Sequence, residues 1–223
     1  MSDKKNYVIA IAREKGSGGS DIAKLLSERL GIPYYDRDLL RKASDVSGIN
    51  EKLFGAADER IGFREMMSAA EKVYNGEILP PDSNDYVSTR NLFSFQAKVI
   101  KEMAQTESCI IIGRCADYLL SDKDNVLRVF IHAPQEFRKE RIKSYCLNMS
   151  DREVNKRIHD CDKRRSEYYH YYTGDDWKDA THEDISLDSS RYGIEGCVDK
   201  IIAAIPLFLG IEVAQPLSGI LQQ

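Results

Sequence analysis

The sequence predicts an α/β fold, a parallel sheet with helices on both faces, and three observations carry that expectation. Five short apolar runs, at residues 7–12, 32–36, 108–113, 125–133 and 184–188, alternate with segments whose apolar residues recur at helical spacing. The first run, Tyr7-Val8-Ile9-Ala10-Ile11-Ala12, is continuously apolar with β-branched members, as a strand covered on both faces must be. It passes through a glycine-rich turn directly into an amphipathic helix, the strand–turn–helix unit from which parallel sheets are built.

That turn organises the chain. Gly16, Gly18 and Gly19 let main-chain N–H groups approach a ligand closely, and Ile22, Leu25, Leu26 and Leu30 then recur on one helical face, so a helix is expected to begin near Ser20. A glycine turn feeding a helix N-terminus presents unpaired N–H donors and a positive dipole end to one point, which suits a phosphate. The Walker pattern also demands a lysine and then a hydroxyl after its last glycine; here Ser20 and Asp21 stand there. The alternative is a plain strand-to-helix connection, with Ser20 as N-cap and Asp21 complementing the helix dipole.

The totals limit what such a site can serve. With 223 residues the chain suits a single domain, 1–223, carrying an inserted or mobile part. Apolar and charged fractions of 42% and 30% are those of a soluble globule, and a net charge of -4 argues against nucleic acid as a partner. Cys109, Cys115, Cys146, Cys161 and Cys197 are odd in number and form no C-x-x-C pair, which reads as reduced thiols in a cytoplasmic protein. The four histidines show no zinc-site spacing, and no apolar run is long enough to span a membrane, so no membrane partner is expected.

Taken in order, the first helix ends at Gly31, and the second strand delivers Asp36 and Arg37 to its carboxyl end, where ligands sit in open α/β sheets. A helix cap and a solvated arginine are the alternative reading of that pair. Helical pieces follow around Arg41–Ser47 and Phe63–Tyr74, then the breaker-rich stretch 76–85, which makes about 39–90 the expected insertion. Leu92, Phe93, Phe95, Gln96, Val99, Ile100 and Met103 form the face of a helix leading into the third strand. That strand ends in Gly113-Arg114, an arginine placed either to hold a phosphate or to pair with a carboxylate such as Asp117.

Pro134 is suited to open the helix after the fourth strand, and Ser150-Asp151-Arg152-Glu153 has capping-box spacing before a helix reaching Tyr168 or beyond. On that helix Arg157, Asp160 and Arg164 share a face, with Lys163 and Arg165 alongside. Five ring-bearing residues then follow within YYHYYTG, fitting either base stacking or core packing. Asp188 and Ser189 end the fifth strand. A terminal helix with Ile194, Cys197, Val198, Ile201, Ile202 and Ile205 on one face is expected to kink or stop at Pro206. The apolar tail beyond it, with Ile211, Val213, Leu217, Ile220 and Leu221, is a candidate contact for the body or for a second copy in a homo-oligomer.

In sequence, REKGSGGSDIA, GIPYYDRDLL, IIIGRCADYLL, NVLRVFIHAP, RIHDCDKRRSEYYHYYTGDDW and DISLDSSRYG make the chain resemble the cytidylate kinase-like family of P-loop nucleoside monophosphate kinases, over residues 6 to 205 or so. The resemblance implies a P-loop NTPase-type parallel sheet flanked by helices, with a monophosphate-binding insertion and a helical lid at about 144–178. It implies transfer of the ATP γ-phosphoryl group, with Mg²⁺, to CMP or a similar pyrimidine monophosphate. By position, Gly16, Ser17, Gly18, Gly19, Ser20 and Asp21 resemble the phosphate loop, with Asp21 in place to hold Mg²⁺ instead of a hydroxyl. Asp36 and Arg37 resemble the acceptor-side motif, Arg114 the arginine on the acceptor phosphate, and Arg157, Arg164 and Arg165 the lid arginines. Asp188 and Ser189 lie where related kinases place the loop near adenine.

The chain departs from the family at Ser20, where this branch often carries a basic residue. One preorganised charge of that kind is worth on the order of 3–4 kcal/mol in a transition state. Lys15, Lys24 and the lid arginines are the cations available to replace it. The competing expectation is therefore a non-catalytic nucleotide-binding or regulatory protein with a degenerate phosphate loop.

Overall fold

The computed structural model describes residues 6–61 and 73–213. Its strands are β1 (Val8–Arg13), β2 (Tyr34–Tyr35), β3 (Cys109–Ile112), β4 (Val126–His132) and β5 (Ile185–Asp188). They form one parallel sheet in the order β2-β3-β1-β4-β5, with Val8 opposite Cys109 on one side and Val126 on the other. β1 is thus central, which is why its six residues are buried without alternation. The strand order reverses direction at β1, and that switch point puts the crevice at the carboxyl end of β1, where the glycine turn lies.

The helices are α1 (Gly19–Leu30), α2 (Asp38–Ser47), α3 (Glu51–Ala57), α4 (Thr89–Thr106), α5 (Ala116–Leu119), α6 (Gln135–Tyr145), α7 (Asp151–Thr173) and α8 (Ser189–Leu209). Two cores result. Ile9, Ile11, Leu127, Val129 and Ile131 pack with α1 and α8 on one face, while Val8, Ala10, Ala12 and Phe130 pack with α2, α4 and α7 on the other. Ile211 and Val213 lie against the first core, so the start of the apolar tail docks on its own body. Leu217, Ile220 and Leu221 lie outside the described residues, as does most of the piece expected at Phe63–Tyr74.

Local sequence explains the helix ends, with two corrections. Ser150 accepts from the Glu153 amide and the Glu153 carboxylate accepts from Ser150 in return, the capping box expected before α7. Ser20, however, is not an N-cap. Gly18 holds that position with φ 90°, two residues sooner, so α1 begins at Gly19 and no side chain caps it. Nor does Pro206 break α8, which runs on to Leu209; Pro206 sits in the last turn, and its own carbonyl accepts from Gly210. The break in α8 falls at Gly193, φ 68°.

The aromatic stretch is core. Tyr172 stacks on Phe93 with ring centroids 3.7 Å apart, Tyr168 meets both rings edge-on, and Trp177 does the same to Phe130. None of the described helices is long and apolar enough to cross a membrane.

Candidate active site

The turn from Glu14 to Gly18 is held from three sides. Ser17 donates its Oγ to Glu14 O at 2.9 Å, and Ser189 Oγ donates to Ser17 O at 2.6 Å, tying the start of α8 to the loop. The Lys15 amide donates to Asp162 Oδ1 of α7 at 2.7 Å, and Arg138 of α6 joins Asp162 at 2.6 Å. Gly18 has φ 90°, a left-handed conformation that glycine takes without strain, and Ile194 Cδ1 lies 2.6 Å from where its Cβ would be. The N–H groups of Gly16, Gly18, Gly19 and Ser20 have no acceptor among the described residues. They open on a cavity of about 430 Å³ lined by Arg13, Lys15, Ser20, Asp21, Arg141 and Arg165 among others. Unpaired amides, a helix N-terminus and four cations suit a polyphosphate chain.

Beside this cavity three arginines meet three carboxylates. Arg13 Nη1 reaches Glu59 Oε1 at 2.7 Å, and Arg165 Nε reaches Glu59 Oε2 at 2.9 Å while its Nη1 donates to Arg13 O. Arg114 is 2% exposed and bonds Asp58 at 2.9 Å, Asp36 at 3.2 Å and the Ile112 carbonyl at 3.1 Å. The partners of Arg114 are therefore Asp36 and Asp58, not Asp117, which accepts from Tyr169 Oη instead.

The backbone there is sharply turned, since Gly113, Arg114 and Cys115 all have positive φ, and a Cβ on Gly113 would collide with Arg13 Nη1 and Glu59 Oε1. Burial alone would raise the Glu59 carboxyl, but Arg13 and then Arg165 outweigh it and hold it well below the carboxylate range. Burial lowers Arg114, and the charges of Asp58, Glu59 and Asp36 more than reverse that.

Asp58 of this cluster also lines a second cavity of about 490 Å³, with Arg37, Glu51, Lys52 and Arg60 among others. Arg37, Lys52 and Arg60 form no ion pair among the described residues. Two cation-lined cavities thus adjoin the cluster, the first lined by its Arg13 and Arg165 and the second by Asp58, the partner of Arg114.

The structure brings together most of the residues expected in the site but not all of them. Gly16, Gly18, Gly19, Ser20, Asp21 and Arg165 line the first cavity and Arg37 the second; Asp36 and Arg114 lie in the charge cluster and Ser17 is buried beneath the loop. Arg157 and Arg164 are exposed and line neither cavity; Arg157 Nη1 rests 3.7 Å from Cys146 Sγ. Arg165 is held at the loop by Glu59 and the Arg13 carbonyl, whereas Arg164, one residue earlier on the helix, is exposed. Asp188 accepts from the Ser190 amide as the N-cap of α8 and lines a neighbouring cavity of about 500 Å³ with Phe130, His132 and Glu183, which shares Glu14 with the loop cavity.

For a divalent cation, the carboxylates lining the loop cavity are Glu14 and Asp21. Glu14 holds Lys178 at 2.6 Å, and Asp21 is ion-paired to Arg141. No group of three potential metal ligands occurs among the described residues. A nucleotide-bound Mg²⁺ needs no such cage, because phosphate oxygens and water supply most of its ligands.

Sequence reasoning passed over Arg13, Arg138, Arg141, Asp58 and Glu59. Arg13 was marked only by ending an apolar strand next to the turn. Asp58 and Glu59 carry no local signal, being two carboxylates after a short helix whose partners lie 46 to 106 residues away.

Known proteins resemble this chain in sequence and fold. The model of the cytidylate kinase-like family matches residues 8–191. A cytidylate kinase from Methanosarcina barkeri is 28% identical over 204 residues, covering 92% of this chain and 99% of that protein. One from Fervidobacterium nodosum is 23% identical over 219 residues, covering 87% and 94%. An uncharacterised protein from Eubacterium ventriosum has a crystal structure that superimposes with a TM-score of 0.65 at 24% identity, covering 90% of this chain and 98% of that one. A gluconokinase from Sinorhizobium meliloti does so at 0.50 and 14% identity, over 93% and 95% of the two chains. These two structures share the fold, that of P-loop kinases. With the family match spanning most of its length, the chain belongs to the cytidylate kinase-like family.

Proposed function

We propose that this protein is a nucleoside monophosphate kinase that passes the γ-phosphoryl group of ATP to CMP or a similar pyrimidine monophosphate. The observation that carries this reading is the pair of cation-lined cavities, one under the glycine loop that includes Arg13 and Arg165, and one lined by Arg37, Lys52 and Arg60 that includes Asp58, the partner of the buried Arg114. Two phosphate-bearing substrates need two such cavities and a shared cationic boundary.

In this reading the loop amides and the cations of the first cavity hold the donor phosphates. Arg37 and Arg114 hold the acceptor phosphate, which displaces carboxylates that now neutralise Arg114. Bound Mg²⁺ supplies charge neutralisation of the donor phosphates, with Asp21 as its candidate ligand. Residues 144–178 form the lid and 39–90 the acceptor insertion of a single domain. Closing of the lid brings Arg157 and Arg164, now exposed, to join Arg165 around the transferring group and keeps water out. We read the protein as cytoplasmic, a reading supported by its free cysteines.

A coupled ADP-release assay with ATP and Mg²⁺, run over CMP, dCMP, UMP, AMP, GMP and small hydroxylated acceptors, tests the proposal. Turnover greatest with CMP or dCMP is the expected result; absence of turnover with every acceptor, in protein that melts cooperatively, rejects it. Ser20 in the lysine position favours a second reading, nucleotide binding without transfer, which calorimetry showing ATP bound and no turnover would select.

A further inference from the structure

We propose that Lys15 supplies the phosphate-neutralising charge that a Walker loop takes from the position Ser20 occupies here. This rests on the reading of the loop cavity as the donor-phosphate site.

The cations lining that cavity are Arg13, Lys15, Arg141 and Arg165. Three are already paired: Arg13 and Arg165 with Glu59, and Arg141 with Asp21. Lys15 alone among them has no carboxylate partner among the described residues. Lys24, the other lysine near the loop, is exposed and outside the cavity lining.

The setting of Lys15 is built by contacts that do not involve its own side chain. Its amide is fixed to Asp162 Oδ1 at 2.7 Å and its carbonyl accepts from Arg138 Nη1 at 3.4 Å, so α6 and α7 position the backbone while the ammonium stays uncommitted. Burial is the largest influence and lowers its pKa; Cys161 opposes this, and Arg157, Arg165 and Arg13 push the same way as burial. A half-buried ammonium among guanidinium groups lacks an anion, and a phosphate in the cavity supplies one. The Walker lysine rises from the first turn of the helix; Lys15 enters from the strand side of the same loop. The charge is kept while its point of origin moves, and Asp21 pairs with Arg141 at the vacated end.

The test uses the full chain in four forms: wild type, Lys15→Met, Ser20→Lys and the double variant. MgATP, and inorganic tripolyphosphate as a probe without a base, are titrated by calorimetry, and phosphoryl transfer and melting temperature are followed alongside. Loss of one charge-assisted contact weakens binding by about 10- to 100-fold. The expected result is that loss for both ligands in Lys15→Met, an unchanged melting temperature, and recovery of most of the affinity in the double variant. Unchanged ATP affinity in Lys15→Met, against a wild type that binds, overturns the assignment and leaves the donor-site reading standing. Weakened binding that Ser20→Lys does not restore, together with a lowered melting temperature, overturns it in favour of a structural lysine. A wild type that binds neither ligand refutes the donor-site reading, and the role of Lys15 falls with it.

Discussion

Replacing Glu59 with Gln tests the charge cluster most directly, because it keeps the shape and one hydrogen-bond acceptor while removing the charge between Arg13 and Arg165. The side chains of the three residues are 17%, 10% and 12% exposed, so water screens the arginines poorly once the carboxylate is gone. Breaking a buried pair from one side costs about 3–5 kcal/mol. With partial exposure and a retained acceptor the lower end applies, about 3 kcal/mol, which for a chain of this size lowers the melting temperature by about 6–12 °C. The pH dependence has a defined sign. Because the arginines depress the folded-state pKa of Glu59, its contribution is complete above the unfolded value of about 4.3 and is lost as pH falls through the depressed folded value. The gap between wild type and variant should therefore be constant from pH 6 to 8 and narrow only below about pH 4. Thermal melts by circular dichroism across that range provide the measurement. Equal melting temperatures at pH 7 would refute the claim that Glu59 neutralises Arg13 and Arg165.

Arg114→Lys should raise the acceptor KM in the coupled assay and lower stability by about 2–3 kcal/mol, since one ammonium cannot serve Asp36, Asp58 and the Ile112 carbonyl together; wild-type values for both would show that the guanidinium geometry is dispensable. Gly18→Ala meets a 2.6 Å contact with Ile194 Cδ1 and a φ of 90°, so a loss of about 2 kcal/mol and weaker ATP binding are expected, read by urea melts and calorimetry. Burial first, and then the charge of Asp117, pushes Glu183 up to about 9. The folded state therefore holds a proton on Glu183 that the unfolded state releases above pH about 4.3, and stability should fall as pH rises from about 5 to 9. Glu183→Gln should flatten that decline in urea melts at pH 5.5, 7 and 8.5, and an unchanged slope would count against the assignment.

The sheet was legible because burial leaves a local period. β1 and β3 read as continuous apolar runs since central parallel strands are covered on both faces, and the capping box of α7 lies within four consecutive residues. Helix ends set by conformation were harder to read. Gly18 rather than Ser20 caps α1 because the left-handed φ of 90° that precedes the helix falls at Gly18, a feature of the turn's conformation that residue type does not mark. Arg157 and Arg164, seven residues apart with Arg165 alongside, read as one working face, yet of the three only Arg165 lines the loop cavity.

Periodicity and spacing, read from the sequence by itself, determined a parallel α/β sheet, a glycine loop at the end of its central strand and an arginine at the end of β3, and motif order pointed to the family. Only the tertiary structure decided which charges are paired and which are free: Glu59 between Arg13 and Arg165, Asp58 on Arg114, Arg141 on Asp21, and Lys15 without a carboxylate partner among the described residues. The physical reason is range. Backbone periodicity is written within a few neighbouring residues, whereas an ion pair depends on a distance of about 3 Å between groups that only the folded crossovers bring together.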